Sequence, residues 1–183
     1  MYRFLPLALL LAACSGAEPR YLIEAPAEVR PAPLAVASLE VRDVSLPAYA
    51  EASEILVESA DGGLEPAENA LWADDPMRAV TLALADRIGR ASNATVAAEP
   101  WPLEEDAQAA VEVRVTDMVA RASGVFELTG QYAVSSYERV VRERIERFAI
   151  AVPLVDTTPG SIADATGRAV AQLAAEITEE LSR

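Results

Sequence analysis

The two longest alternating segments of the chain lie on either side of a Ser123-Gly124 turn. In the first, from Ala109 to Ala120, valines at 111, 113 and 115 alternate with charged or hydroxyl residues. In the second, every other residue from Phe126 to Val134 is apolar or glycine. Such alternation places one set of side chains on a buried face and the other in water. Two such segments around a tight turn predict an antiparallel hairpin.

A third segment, from Glu138 to Val152, is expected to add the next strand to this hairpin, although its Arg-Glu run is also compatible with a helix. The alternating charges of 138–147 are expected to form cross-strand ion pairs on a wet sheet face, with a docking surface for another protein as the alternative. Shorter strands are predicted at 34–44, 55–58 and 95–98.

Two helices are predicted between and after these strands. Either Asp74 or Asp75 caps the first, and Pro76 occupies its first position, where the missing N–H costs nothing. Trp72 is expected to pack back onto this helix, which ends near 89–93. The second helix opens at Ser161, whose spacing to Asp164 resembles a capping box. Its apolar stripe consists of Ile162, Ala165, Ala169, Leu173, Ile177 and Leu181.

These elements predict a single α+β domain over 34–183, with a mainly antiparallel sheet and two helices packed on one face. The hydrophobic fraction of 52% is that of a globular chain. The aromatic fraction is only 5%, so the core must consist mainly of Ala, Val, Leu and Ile.

The first fourteen residues have the form of a secretory signal. Arg3 precedes a short apolar run, Leu5–Ala13, that is well under the roughly 20 residues of a membrane-spanning helix. The run ends in Leu11-Ala12-Ala13-Cys14, which looks like a bacterial lipobox. In a lipobox the cysteine thiol takes a diacylglycerol, the chain is cleaved before the cysteine, and the new amine is acylated.

We therefore predict a signal peptide over 1–13, cleavage between Ala13 and Cys14, and a lipidated tether over 14–33. A plain secretory signal is the alternative, but the only cysteine of the chain stands where lipidation would use it. Several acyl chains together anchor a protein firmly. Ser15 is not the Asp that retains such proteins at the inner membrane, so the expected location is the outer membrane, with the domain facing the periplasm.

Composition excludes several functions. The chain has no histidine and one cysteine, which removes the commonest general base, the Ser-His-Asp and Cys-His arrangements, and any Cys/His zinc site. We therefore expect no enzyme activity, no metal and no cofactor. The net charge of −14 repels nucleic acid, which we exclude as a partner.

Two local features remain as candidate sites. Glu104-Glu105-Asp106 lacks the ligand spacing and glycine of a calcium loop, so a solvated acidic loop is expected. Trp101, between two prolines, is expected to be a core tryptophan pinned by rigid turns, or alternatively an exposed anchor for a partner protein.

Several motifs in combination resemble the PqiC/YmbA family of ABC-type transport auxiliary lipoproteins, over nearly the entire mature chain. They are the lipobox at Cys14, Tyr21-Leu22-Ile23, Leu46-Pro47-Ala48-Tyr49, Trp72-Ala73-Asp74-Asp75-Pro76, Pro100-Trp101-Pro102, and the Val-rich strand 111–115 with its hairpin partner.

The resemblance implies a non-enzymatic outer-membrane lipoprotein of an intermembrane phospholipid transport system. Its partners would be an MCE-domain protein anchored in the inner membrane and that protein's permease, with the lipoprotein acting as a periplasmic docking adaptor. Binding of phospholipid by the domain and assembly into a homo-oligomer stay open. The alternative is a lipid-binding or envelope-assembly lipoprotein that acts alone, which predicts an apolar cavity lined by the helices.

Overall fold

The computed structural model describes residues 18–24, 30–137 and 139–182. These ranges form eight strands and two helices. The elements in chain order are β1 (Arg20–Tyr21), β2 (Ser38–Val41), β3 (Glu54–Glu58), β4 (Leu64–Trp72), α1 (Pro76–Ala91), β5 (Thr95–Ala98), β6 (Ala109–Arg121), β7 (Val125–Ser136), β8 (Arg144–Pro153) and α2 (Pro159–Leu181). The architecture is α+β, as predicted.

The predicted hairpin is the centre of the sheet. β6 and β7 pair antiparallel from Ala109↔Ser136 to Arg121↔Val125, and β8 pairs antiparallel with the other side of β7. This confirms the third strand over 144–153, so the helical alternative for that stretch is wrong. On one face the alternating residues are buried, and they include Val111, Val113, Phe126, Leu128, Ile150 and Val152.

The prediction of a mainly antiparallel sheet is wrong, because the sheet is mixed. β2 pairs parallel with both β5 and β6, β3 contacts β6 through a parallel pair, and β1 lies parallel to β4. Among the described strands, four of the seven pairings are parallel. A parallel pair needs a long crossover, and β3, β4, α1 and β5 form that crossover between β2 and β6. Alternation within one strand says nothing about the direction of its neighbour.

β4 is a strand that the sequence pattern does not predict. It contains Pro66 and two glutamates, residues that are depleted in strands, and both Glu68 and Asn69 have a positive φ, of 51° and 54°. Hydrogen bonding to its neighbours holds it in place: β3 pairs with it antiparallel and β1 pairs with it parallel.

The first predicted strand, 34–44, is regular only over Ser38–Val41. Its apolar residues are nevertheless buried, since Leu34 and Val36 before the strand and Val44 after it all belong to the core. The backbone N–H of Val44 donates to Thr81 Oγ1 (3.0 Å), which ties the end of the strand to α1.

The start of α1 is as predicted, and the start of α2 is not. Asp75 caps α1 by accepting a hydrogen bond from the backbone N–H of Arg78 (2.9 Å). The cap of α2 is Thr158, three residues before the predicted position, because Pro159 has a backbone angle suited to the first helical turn. Ser161 instead accepts hydrogen bonds from the loop preceding the helix, at Val155 and Asp156.

Both helices cover the buried face of the sheet and contact each other. α1 lies over β2 and β5, whereas α2 lies over β7 and β8. The predicted apolar stripe of α2 is buried along its whole length, from Ile162 to Leu181. Trp72, at the end of β4, is buried in the same core, as expected.

Candidate interaction site

Trp101 lies in the loop between β5 and β6, which we call the Trp101 loop (residues 99–107). The loop begins with the cis peptide bond between Glu99 and Pro100. The backbone N–H of Trp101 donates to Glu40 Oε1 on β2 (3.2 Å), and its indole Nε1 donates to the carbonyl of Glu105 (2.7 Å). Half-buried and bonded at both ends, Trp101 fixes the shape of its own loop.

The loop presents one apolar side chain among carboxylates. Leu103 is exposed, and Glu104, Glu105 and Asp106 beside it are exposed as well. Among residues 18–24, 30–137 and 139–182, no group of three His, Cys, Asp or Glu side chains is placed to hold a metal ion. The arrangement is therefore an apolar tip on an acidic loop, a geometry suited to contact with another protein.

The face of the sheet that carries no helix holds a row of paired charges next to this loop. Arg42 lies 3.9 Å from a Glu40 oxygen and 3.8 Å from a Glu112 oxygen, and Arg114 lies 2.6 Å from the other oxygen of Glu112. The contact between Arg42 and Glu112 joins the end of β2 to β6. Exposed pairs of this kind contribute little to stability individually, but they leave this face with opposite charges side by side.

A second cluster lies where β3, β6 and β7 meet. Arg121 donates from Nε to Glu127 Oε2 (2.6 Å), and its Nη atoms lie 3.3 Å from Glu58 and 3.4 Å from Asp117. The hydrogen bond to Glu127 raises the pKa of Arg121, with further contributions from the charges of Glu127, Glu58 and Asp117. Hydrophobic periodicity in the sequence does not predict this cluster. Its four members come from three strands, and periodicity does not show which strands pair with each other.

Among the residues that the structure describes, Arg144 forms its ion pair with the last turn of α2 and not with a neighbouring strand, contrary to expectation. Its Nε lies 3.0 Å from Glu180 Oε1, and its Nη2 donates to the carbonyl of Glu180 (2.6 Å). The side chain is on the helix-covered face of β8, where Glu180 in the last turn of α2 offers both a carboxylate and a backbone carbonyl.

The residues of the Leu-Pro-x-Tyr motif have a structural role. Leu46 is buried, and the carbonyl of Pro47 accepts a hydrogen bond from the backbone N–H of Ala50 in the turn that follows. Tyr49 then reaches across to β6, where its hydroxyl accepts a hydrogen bond from the backbone N–H of Met118 (3.2 Å). This contact follows a bulge between Val115 and Asp117, where β6 falls out of register with β7.

The N-terminal approach to the domain joins the sheet. Within the range 14–33, Arg20–Tyr21 pairs with the end of β4, and the carbonyl of Tyr21 accepts a hydrogen bond from the backbone N–H of Ala73 (2.8 Å). The predicted lipid-attachment residue Cys14 and the cleavage residue Ala13 lie outside the described residues. Neither α1 nor α2 has the combination of length and hydropathy that a membrane-crossing helix requires.

Comparison with known proteins identifies the family. A sequence model of the family described as "ABC-type transport auxiliary lipoprotein component" matches residues 21–178 of this chain. A crystal structure of an uncharacterized protein has a TM-score of 0.67 and 19% identity, covering 84% of this chain and 99% of that one. A crystal structure of a Xanthomonas campestris protein of the DUF330 family has a TM-score of 0.64 and 19% identity, covering 84% of this chain and 92% of that one.

The search of curated proteins gives no match. The two crystal structures have the same fold as this chain, and the family model extends from β1 to the last turn of α2. The protein therefore belongs to the family of ABC-type transport auxiliary lipoprotein components.

Proposed function

We propose that the protein is an outer-membrane lipoprotein that serves as the periplasmic docking adaptor of an MCE-type phospholipid transport system. The observation that carries this proposal is the family match over 21–178, which begins seven residues after the predicted lipid-attachment site at Cys14. The family is one of auxiliary transport lipoproteins and is not a known enzyme family. The partners we propose are an inner-membrane-anchored MCE-domain protein and its permease.

The Trp101 loop is the docking point that we propose for this partner. Trp101 contributes to docking indirectly, by fixing the shape of the loop, because its indole N–H is already hydrogen-bonded to the carbonyl of Glu105. The surface offered to the partner is the exposed Leu103 within the acidic stretch 104–106. An apolar contact surrounded by charge favours a partner with an apolar recess and a basic rim.

The alternative, a lipid binder that acts alone, has less support from the interior of the molecule. The two helices, together with Arg30 and Ala32, do line a partly open, alanine-rich cavity of about 230 Å³ near Arg87 and Thr178. That volume is below the roughly 300–1,000 Å³ of ordinary ligand pockets. Two clefts are larger, at about 550 and 380 Å³, but both are open to solvent and are lined in part by charged residues such as Asp164 and Arg78. The remaining space between helices and sheet is filled by a continuous core of aliphatic side chains.

The test is a pull-down of the tagged full-length protein from detergent-solubilised envelopes, with mass spectrometry of the proteins that accompany it. We expect an MCE-domain protein and its permease to co-purify. Cys14→Ala should abolish membrane attachment and reduce recovery of both partners, because the thiol that takes the lipid is gone. Ser15→Ala is the matched control, since it leaves the thiol in place.

Two results would contradict the proposal. Recovery of phospholipid without an MCE-domain protein would favour the solitary lipid binder. Equal membrane attachment of the Cys14→Ala variant and the Ser15→Ala control would rule out the lipid anchor.

A further inference from the structure

A cleft separates the N-terminal residues 21–23 from the outer side of α1. It has a volume of about 270 Å³ and is lined mainly by apolar side chains, including Tyr21, Ile23 and Ala83. Leu22 and Leu82 lie on its two sides. Apart from Asp74, the residues that line the cleft therefore have apolar or aromatic side chains.

Both leucines at the rim of the cleft are exposed to solvent. Leu22 is 57% exposed and Leu82 is 43% exposed. A single exposed leucine is ordinary on a protein surface. Two that share one cleft, beside a tyrosine of the kind enriched at membrane interfaces, form a patch suited to an apolar partner.

The position of this patch along the chain indicates the partner. Glu18, where the described chain begins, follows Cys14 by four residues. Four residues span at most about 14 Å when fully extended. The chain then enters β1 and reaches Leu22 directly after it. A lipid on Cys14 would thus hold this side of the domain close to the membrane.

We propose that the cleft between residues 21–23 and α1 is the face on which the domain rests against the lipid surface, with Leu22 and Leu82 entering the interfacial layer. This inference rests on the lipid anchor of the proposed function. The contact sets the orientation of the domain, while the anchor supplies the attachment, because two leucines are a small apolar area compared with acyl chains.

The charges near the cleft favour a zwitterionic lipid surface. Asp74, which also lines the cleft, is neutralised by an ion pair with Arg78. Arg20 and Glu24, which lie near the cleft in the chain, are both exposed and carry opposite charges. The whole chain carries a net charge of −14, so attraction to anionic headgroups cannot drive the contact.

The experiment places a fluorophore on single cysteines of the lipidated protein in phosphatidylcholine vesicles. The variants are Leu22→Cys and Leu82→Cys in the cleft, with Leu103→Cys and Ile145→Cys as controls. The control residues are 56% and 66% exposed, so all four labels replace an exposed apolar side chain. Each variant has one reactive thiol, because the sulfur of Cys14 is held in the thioether and the chain has no other cysteine.

Quenching of each label by lipids that carry a nitroxide on the acyl chain is then measured, together with flotation of the vesicles. We expect the labels at 22 and 82 to be quenched at least about twofold more than those at 103 and 145, since an interfacial side chain lies close to the acyl boundary. Equal quenching at all four positions in protein that floats would overturn the contact face and leave the anchor intact. Failure to float would contradict the anchor itself, and the contact face with it.

Discussion

At position 130, in the alternating pattern of β7, the neighbouring strands determine which residue type can be accommodated. Gly130 lies opposite Val115, at the bulge of β6, and opposite Phe148 on β8. A Cβ atom at this position would lie 2.2 Å from the Arg114 carbonyl oxygen and 2.9 Å from the ring of Phe148. The glycine is therefore required by close approach on two sides.

We predict that Gly130→Ala lowers the free energy of unfolding by about 2 kcal/mol or more, because the backbone oxygen of Arg114 cannot move away without breaking the β6–β7 pairing. Urea unfolding followed by circular dichroism measures this change. Gly89→Ala is the control: its Cβ would meet only Val96 at 3.6 Å, and alanine gains about 1 kcal/mol over glycine within a helix. A Gly130→Ala protein as stable as Gly89→Ala would show that β6 shifts freely at the bulge.

Among the elements, the Trp101 loop joins local structure most directly to the proposed function. Its shape depends on hydrogen bonds from Trp101 to Glu40 and Glu105, while Leu103 contributes only an exposed surface. A substitution at Leu103 can therefore test docking without removing the hydrogen bonds that fix the loop.

We predict that Leu103→Ser reduces co-purification of the MCE-domain protein while changing the free energy of unfolding by less than about 0.5 kcal/mol, as is usual for an exposed side chain. The envelope pull-down and a urea titration measure the two effects. Leu64→Ser, at the exposed start of β4, is the matched control and should leave co-purification unchanged. Undiminished recovery of the partner with Leu103→Ser would exclude the loop as the docking point.

At the scale of the whole molecule, Tyr132 links the sheet to α2. It lies on the buried face of β7, and its burial together with the nearby carboxylates of Glu180, Glu146 and Glu176 raises its pKa to about 12. The unfolded chain loses this proton near the ordinary pKa of 10.0, so it binds fewer protons than the folded protein between these values.

We therefore predict that stability is unaffected by Tyr132 below about pH 10 and falls by on the order of 2 kcal/mol between about pH 10 and 12. The chain has no lysine, so lysine titration does not obscure this range. Urea unfolding from pH 9 to 12 should show a shallower decline for Tyr132→Phe than for the natural sequence. Parallel declines would show that the phenol ionises equally in both states.

Much of this fold was predictable because the information is local. Alternation along β6, β7 and β8 indicates a sheet with one face exposed to water, and the apolar stripe from Ile162 to Leu181 indicates a helix with one buried face. The cap and proline of α1 act within a single turn. For the same reason, the motifs that indicated the family could be recognised in the sequence alone.

Tertiary structure decided what depends on residues far apart in the chain. The parallel direction of β2 and β3 beside β6 follows from the crossover through α1, and β4 exists because β3 and β1 supply its hydrogen bonds. The Trp101 contact with Glu40 and the cleft shared by Leu22 and Leu82 join residues about sixty positions apart. These contacts form only when residues that are distant in the sequence come together, so a pattern among neighbouring residues cannot predict them.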